Sequence, residues 1–206
     1  MKALQNIDRG LFFGYNKSMK GKTKTWRSVC LRVFTTLLCV GLLTWIFSNS
    51  LQPAETSSAQ SAGVVEIVQE VVSVFAPDSP IATATGEDYD TLHSVIRTLA
   101  HFTEFAVLGA LFVCCWRSYT AKKAYLALPI AGICVTPVVD ELLQTFSDGR
   151  AMELADVFVD MLGGACGGVA ALFALWAALA IVKKVREKKG GEDGTRELGN
   201  SADKIQ

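Results

Sequence analysis

Four apolar runs, each about as long as a bilayer-spanning helix and separated by segments of alternating charge, leave this chain few possible folds. A spanning helix needs about 20 mostly apolar residues, because roughly 30 Å of hydrocarbon is crossed at 1.5 Å per residue. Runs at 28–47, 98–116, 124–143 and 156–182 meet that requirement. Seven Lys/Arg against one acid precede the first run, in 1–27. Residues 48–96 carry seven acids and no Lys or Arg. The turn 117–123 holds Arg117, Lys122 and Lys123, and seven more basic residues follow from Lys183 onward. Lys and Arg gather in cytoplasmic segments, so the pattern predicts both termini inside and the acidic loop outside. The expected fold is all-α: a polytopic membrane protein with four transmembrane helices. A nucleic-acid-binding role is excluded, because the basic residues flank spans instead of forming one basic face.

Three segments lie outside the spans. The basic stretch 1–27 is expected to lie along anionic lipids on the cytoplasmic side. No small-x-small cleavage site follows the first run, so it reads as a retained span and not as a signal peptide. The tail 183–206, rich in Gly, Lys, Glu and Asp, is expected to be disordered. Between the first two spans, apolar residues at 64, 65, 68, 71, 72 and 75 follow helical spacing, with Glu66, Gln69, Glu70 and Ser73 opposite. This predicts an interfacial amphipathic helix over about 62–75, too short to span. All six cysteines fall inside apolar runs, which argues for free thiols and against a disulfide framework.

Ionisable residues inside spans cost roughly 2.5–3.5 kcal/mol each on insertion scales, so their placement is informative. Arg97, His101 and Glu104 follow i, i+4, i+7 spacing on the second span, with Glu104 about 10 Å deeper than Arg97. Asp140, Glu141 and Gln144 end the third. Arg150 precedes the fourth, which begins with Asp156 and Asp160 one turn apart. The first span ends at Ser48-Asn49-Ser50. All of these lie toward the outer face, so one outward polar site is expected, built from Arg97, His101, Glu104, Asp140, Glu141, Gln144, Arg150, Asp156 and Asp160. Gly163, Gly164, Gly167 and Gly168 permit close helix approach, within the chain or in a homo-oligomer. Pro137 removes a helix hydrogen bond one turn before Asp140 and is expected to kink the third span.

Three chemistries suit these residues. Ion pairs can pin the helices together, although five acids against two arginines and a histidine leave surplus negative charge. The set can bind the head of a membrane lipid or lipid-linked envelope molecule. It can also move protons, with His101, Glu104, Asp140 and Glu141 as catalytic candidates. A small proton-coupled transporter is a further alternative, with Glu104 and Asp160 carrying protons. A metal is not expected: His101-x-x-Glu104 has no second such pair, and a single histidine is thin support for zinc. No cofactor motif is present, and no Gly-x-Ser-x-Gly elbow suggests a serine hydrolase.

Phe47-Ser48-Asn49-Ser50-Leu51-Gln52-Pro53, with Ser57 and Ser61 following, then Arg97-x-x-x-His101-Phe102-x-Glu104-Phe105, resemble the VanZ-like family. So do Asp140-Glu141-x-x-Gln144-x-Phe146-x-x-Gly149-Arg150, Asp156-Val157 and Gly163-Gly164. The likeness runs from about 44 to 170. Asp148 stands where family members commonly have Pro, and Asp160 where they commonly have Asn. The resemblance implies a bacterial cytoplasmic-membrane protein acting in envelope maintenance or in tolerance of the glycopeptide teicoplanin.

Overall fold

The computed structural model describes residues 21–120 and 122–202. Five α-helices account for most of them: α1 (Gly21–Ser50), α2 (Ala54–Phe75), α3 (Glu87–Tyr119), α4 (Ala127–Gln144) and α5 (Leu154–Ala202). A 3-10 turn, Lys123–Leu126, leads into α4. Four segments are long and apolar enough to cross a membrane: Ser28–Ser50, Glu87–Tyr119, Ala127–Gln144 and Leu154–Val185. The expected all-α fold with four spans is therefore the observed one, and the chain is a multi-pass membrane protein.

Local chemistry explains where the helices begin and end. Gly86, with φ of +58°, turns the chain into α3, and Glu87, Asp88 and Asp90 follow at the positive end of its dipole. Arg117 lies in the last turn of the same helix, at its negative end. At 33 residues α3 is about 50 Å long, more than a bilayer core needs, so one end extends beyond the hydrocarbon. Against that extension lies α2, held through the 76–86 loop by Gln69 Nε2, which donates to the carbonyls of Ile81 (3.2 Å) and Ala84 (3.0 Å). His93 Nε2 lies 3.1 Å from the Ser58 carbonyl.

The closest packing joins α3 and α5, and glycine makes it possible. A Cβ at Gly167 would collide with the backbone carbonyl of Ala106, one at Gly163 with that of Phe102, and one at Gly109 with that of Gly164. The four-glycine face of α5 is thus buried within the protomer, against α3. Beside it Ile46, Phe105 and Leu108 form the core, with Leu42, Leu43, Phe47 and Phe112 packed around them. Leu37, Trp45, Val107, Leu128, Phe158, Leu162 and Phe173 remain exposed. An apolar exterior this extensive suits lipid, not water.

Several boundaries differ from expectation. The first helix begins at Gly21, within the stretch expected to be a basic tail; residues 1–20 lie outside the described residues. α2 starts at Ala54, eight residues before 62, directly after Pro53. Residues 54–61 are too polar to register as an apolar face, yet nothing in them opposes a helix. α2 also has two apolar faces where one was expected. Val65 is buried with Val68 and Val72 half-buried beside it, while Val64, Ile67, Val71, Val74 and Phe75 are exposed.

α5 continues to Ala202, through most of the stretch 183–206 that was expected to be disordered; residues 203–206 lie outside the described residues. Lys and Glu are good helix formers, and Lys183 Nζ pairs with Glu187 Oε1 at 3.6 Å across one turn. α4 runs on through the buried Pro137. Arg32 Nε donates to the Ser118 carbonyl at 3.2 Å, and its guanidinium lies over the Tyr119 ring. All six cysteines are free.

Candidate functional site

The helices alternate in direction, so the end of α1, the upper half of α3, the end of α4 and the start of α5 meet at one end of the bundle. A hydrogen-bond network ties these ends together. Ser50 Oγ donates to Asp140 Oδ1, and Gln144 Nε2 donates to Glu141 Oε2 at 3.0 Å and to Asp140 Oδ2 at 3.4 Å. The backbone N–H of Glu153 donates to Glu141 Oε1 at 2.6 Å, at the threshold of α5. Ser50, Asp140, Glu141 and Gln144 are all at least 98% buried. Buried polar groups need partners, and these have found one another.

Arg150 joins this network from the turn between α4 and α5. Gly149, with φ of +73°, takes a left-handed conformation that reverses the chain and lies close to the Ala54 side chain. Arg150 then donates from Nη1 to the Ser50 carbonyl at 3.2 Å and from Nη2 to Ser57 Oγ at 2.7 Å. It therefore links α1, α2 and the α4–α5 turn. Burial lowers the Arg150 pKa and the nearby Arg97 guanidinium adds to that, while Asp140, Glu141 and Asp156 oppose it.

Between α3 and α5 lies a pocket of about 160 Å³. Ser94, Arg97, Thr98 and His101 line it from α3, and Asp156, Val159 and Asp160 from α5, with Glu153 just before that helix. Each set recurs at three- and four-residue intervals, as one helix face must. At its floor His101 Nδ1 stands 3.9 Å from Asp160 Oδ2, beyond hydrogen-bond range. Neither His101 Nδ1 nor either oxygen of Asp160 has a hydrogen-bond partner among the described residues, although Asp160 is only 1% exposed. Ligand atoms of His101, Asp140 and Asp160 all lie within 4.8 Å of one another.

The nine expected site residues therefore divide into groups. Arg97, His101, Asp156 and Asp160 line the pocket; Asp140 lies beside His101 and Asp160 without lining it; Glu141, Gln144 and Arg150 brace the surrounding helix ends. Glu104 lies near Trp45 of α1 and is not among the residues that line the pocket. Ser94, Thr98, Glu153 and Val159 were missed as lining residues. Helical register held the signal: Ser94 is three residues before Arg97, and Glu153 three before Asp156. Arg97 offers a guanidinium to the pocket, Glu153, Asp156 and Asp160 offer carboxylates, and the His101 imidazole can exchange a proton.

The VanZ/LLP1 family model matches residues 34–176, more than two thirds of the chain. Those residues include every side chain of the pocket and of the network around it. No curated protein and no solved structure matches the chain.

Proposed function

The chain belongs to the VanZ/LLP1 family, and from that membership we propose that it binds the anionic head of an envelope amphiphile at the outer leaflet of a bacterial cytoplasmic membrane. In this reading both termini are cytoplasmic. Arg117 and Lys122, like the start of α1 and the part of α5 that follows Lys183, lie toward the end of the bundle opposite the pocket. The positive-inside rule then turns the pocket outward. The observation that carries the reading is Arg97 at a small polar pocket between two otherwise lipid-facing helices.

A guanidinium fork matches phosphate or carboxylate bidentately, and apolar flanks leave room for an acyl or prenyl chain along the bundle. At about 160 Å³ the pocket suits a phosphate or carboxylate head and is too small for a drug-sized molecule, for which roughly 300 Å³ or more is usual. The role in this reading is envelope maintenance or glycopeptide tolerance by sequestering or presenting such a lipid.

Two measurements test it together: native mass spectrometry of the chain with phosphatidic acid, phosphatidylglycerol and a neutral lipid, and teicoplanin susceptibility of cells carrying Arg97→Ala. Preferential retention of the anionic lipids, lost in R97A at normal membrane level, supports the proposal. Equal retention of neutral lipid by the wild type overturns it. A membrane enzyme acting on a lipid-linked substrate is the second reading, favoured by the unpartnered His101 Nδ1 facing the pocket. Normal function of His101→Gln would remove that reading.

A further inference from the structure

We propose that His101, Asp140 and Asp160 form a binding site for one divalent first-row cation, zinc or manganese, at the junction of α3, α4 and α5. Three features of the structure converge there. Asp160 is 1% exposed, and neither of its oxygens accepts a hydrogen bond from any described residue. Its neighbour Asp140 is fully buried and has partners in Ser50 and Gln144, so the pair differs in how well it is satisfied. His101 presents an unpartnered Nδ1 toward Asp160 at 3.9 Å, too far for a direct hydrogen bond.

That spacing fits an ion between the groups. Atoms within 4.8 Å of one another can all lie about 2.8 Å from a common centre, and zinc bonds to imidazole and carboxylate are about 2.0–2.2 Å. Closing the remaining gap, roughly 0.6–0.8 Å per group by that comparison, needs only side-chain rotation. One imidazole nitrogen with two carboxylates suits zinc or manganese, whereas magnesium and calcium favour all-oxygen sets.

Charge points the same way. Glu104, Asp140, Glu141, Glu153, Asp156 and Asp160 share this end of the bundle with Arg97 and Arg150, an excess of acid that a divalent ion would reduce. Ser50 and Gln144 hydrogen-bond to the Asp140 carboxylate and orient it, as the partners of metal-ligating carboxylates do. No metal was expected from the sequence, where His101-x-x-Glu104 stands without a second such pair. The fold brings His101 together with Asp140 and Asp160, while Glu104 lies near Trp45.

The test uses the full-length, untagged chain, stripped with chelator and held in nanodiscs of zwitterionic lipid. Mn²⁺ is titrated with detection by electron paramagnetic resonance, because manganese discriminates against the chain's six thiols; Zn²⁺ is titrated by dialysis with elemental analysis. The expected result is one saturable ion per chain. Affinity should fall at least tenfold in Asp160→Asn and be unchanged in Glu66→Gln on α2. Bound Mn²⁺ should show nitrogen coupling that survives His93→Gln and disappears in His101→Gln.

No saturable binding of either ion by the wild type overturns the proposal, as does binding that D160N leaves intact. Should D160N fail to fold, the nitrogen coupling in the wild type and in H93Q decides the matter, and its absence overturns the proposal. Anionic lipid is absent throughout, so a failure here leaves the headgroup reading untouched, and the reverse also holds.

Discussion

The carboxylate of Glu141, in the last turn of α4, accepts the backbone N–H of Glu153 at 2.6 Å and so caps α5 from a neighbouring helix. The first N–H groups of a helix have no internal partner, and a buried carboxylate at that end satisfies one while facing the positive dipole. Gln144 holds the other oxygen of the same carboxylate at 3.0 Å. Two helices that approach the site from opposite directions are thus registered by one side chain.

Glu141→Ala should accordingly destabilise the protein by about 1–3 kcal/mol, the usual cost of leaving a buried donor unmet. For a chain of this size that corresponds to a fall in Tm of roughly 2–10 °C. Glu141→Gln keeps an acceptor and should lose about half as much. Thermal unfolding in detergent, followed by tryptophan fluorescence, measures both. Equal stability of all three proteins would show that the cap contributes nothing.

Gly167→Ala places a methyl group against the Ala106 carbonyl, where only backbone can yield. Overpacking typically costs 1–3 kcal/mol, and here α3 and α5 must move apart to relieve it. Membrane-inserted, monodisperse protein should fall several-fold. Gly41→Ala, with nothing within 4 Å of the added atom, should be neutral or stabilising by up to about 1 kcal/mol. Size-exclusion profiles of the two variants side by side make the comparison.

Arg150→Ala removes the donors to the Ser50 carbonyl and Ser57 Oγ. Charge-assisted hydrogen bonds contribute about 1.5–3 kcal/mol each, so the first turns of α2 should loosen more than the bundle. Backbone amides of 54–62 should exchange with deuterium at least tenfold faster, while those in the middle of α5 stay as protected as before. Uniform acceleration would mean that the whole fold, and not the α2 junction, depends on Arg150.

The orientation proposed for the pocket predicts thiol accessibility. A cysteine substituted for Asp78, in the loop after α2, should react with a membrane-impermeant maleimide on intact cells. One substituted for Lys184 should react only after permeabilisation. The reverse pattern would turn the pocket toward the cytoplasm.

How much was legible in advance depended on the range of the interaction. The second span and the arginine, histidine and acids of the site could be read from the spacing of Arg97, His101 and Glu104, because the cost of charge in hydrocarbon is a local property of the sequence. The same spacing puts Glu104 on the face of Arg97 and His101 but deeper along the helix, and it could not tell that Trp45 of α1 would lie near it. For α2, Ile67 and Val74 were absent from the expected face, because a helix lying between protein and lipid needs two apolar faces. For residues 183–202 composition could not choose: a segment rich in Lys and Glu suits a helix as well as a disordered tail.

By itself the sequence determined the four spans, their alternation and the gathering of polar groups at one end, because length, hydropathy and flanking charge act on each segment separately. Only the tertiary structure decided that Glu141 and Arg150 join helix ends, that the glycines of α5 are consumed by α3, and that Asp160 stands unpartnered beside His101. Those outcomes depend on which helix faces meet, and that is settled by close packing between segments far apart in the chain.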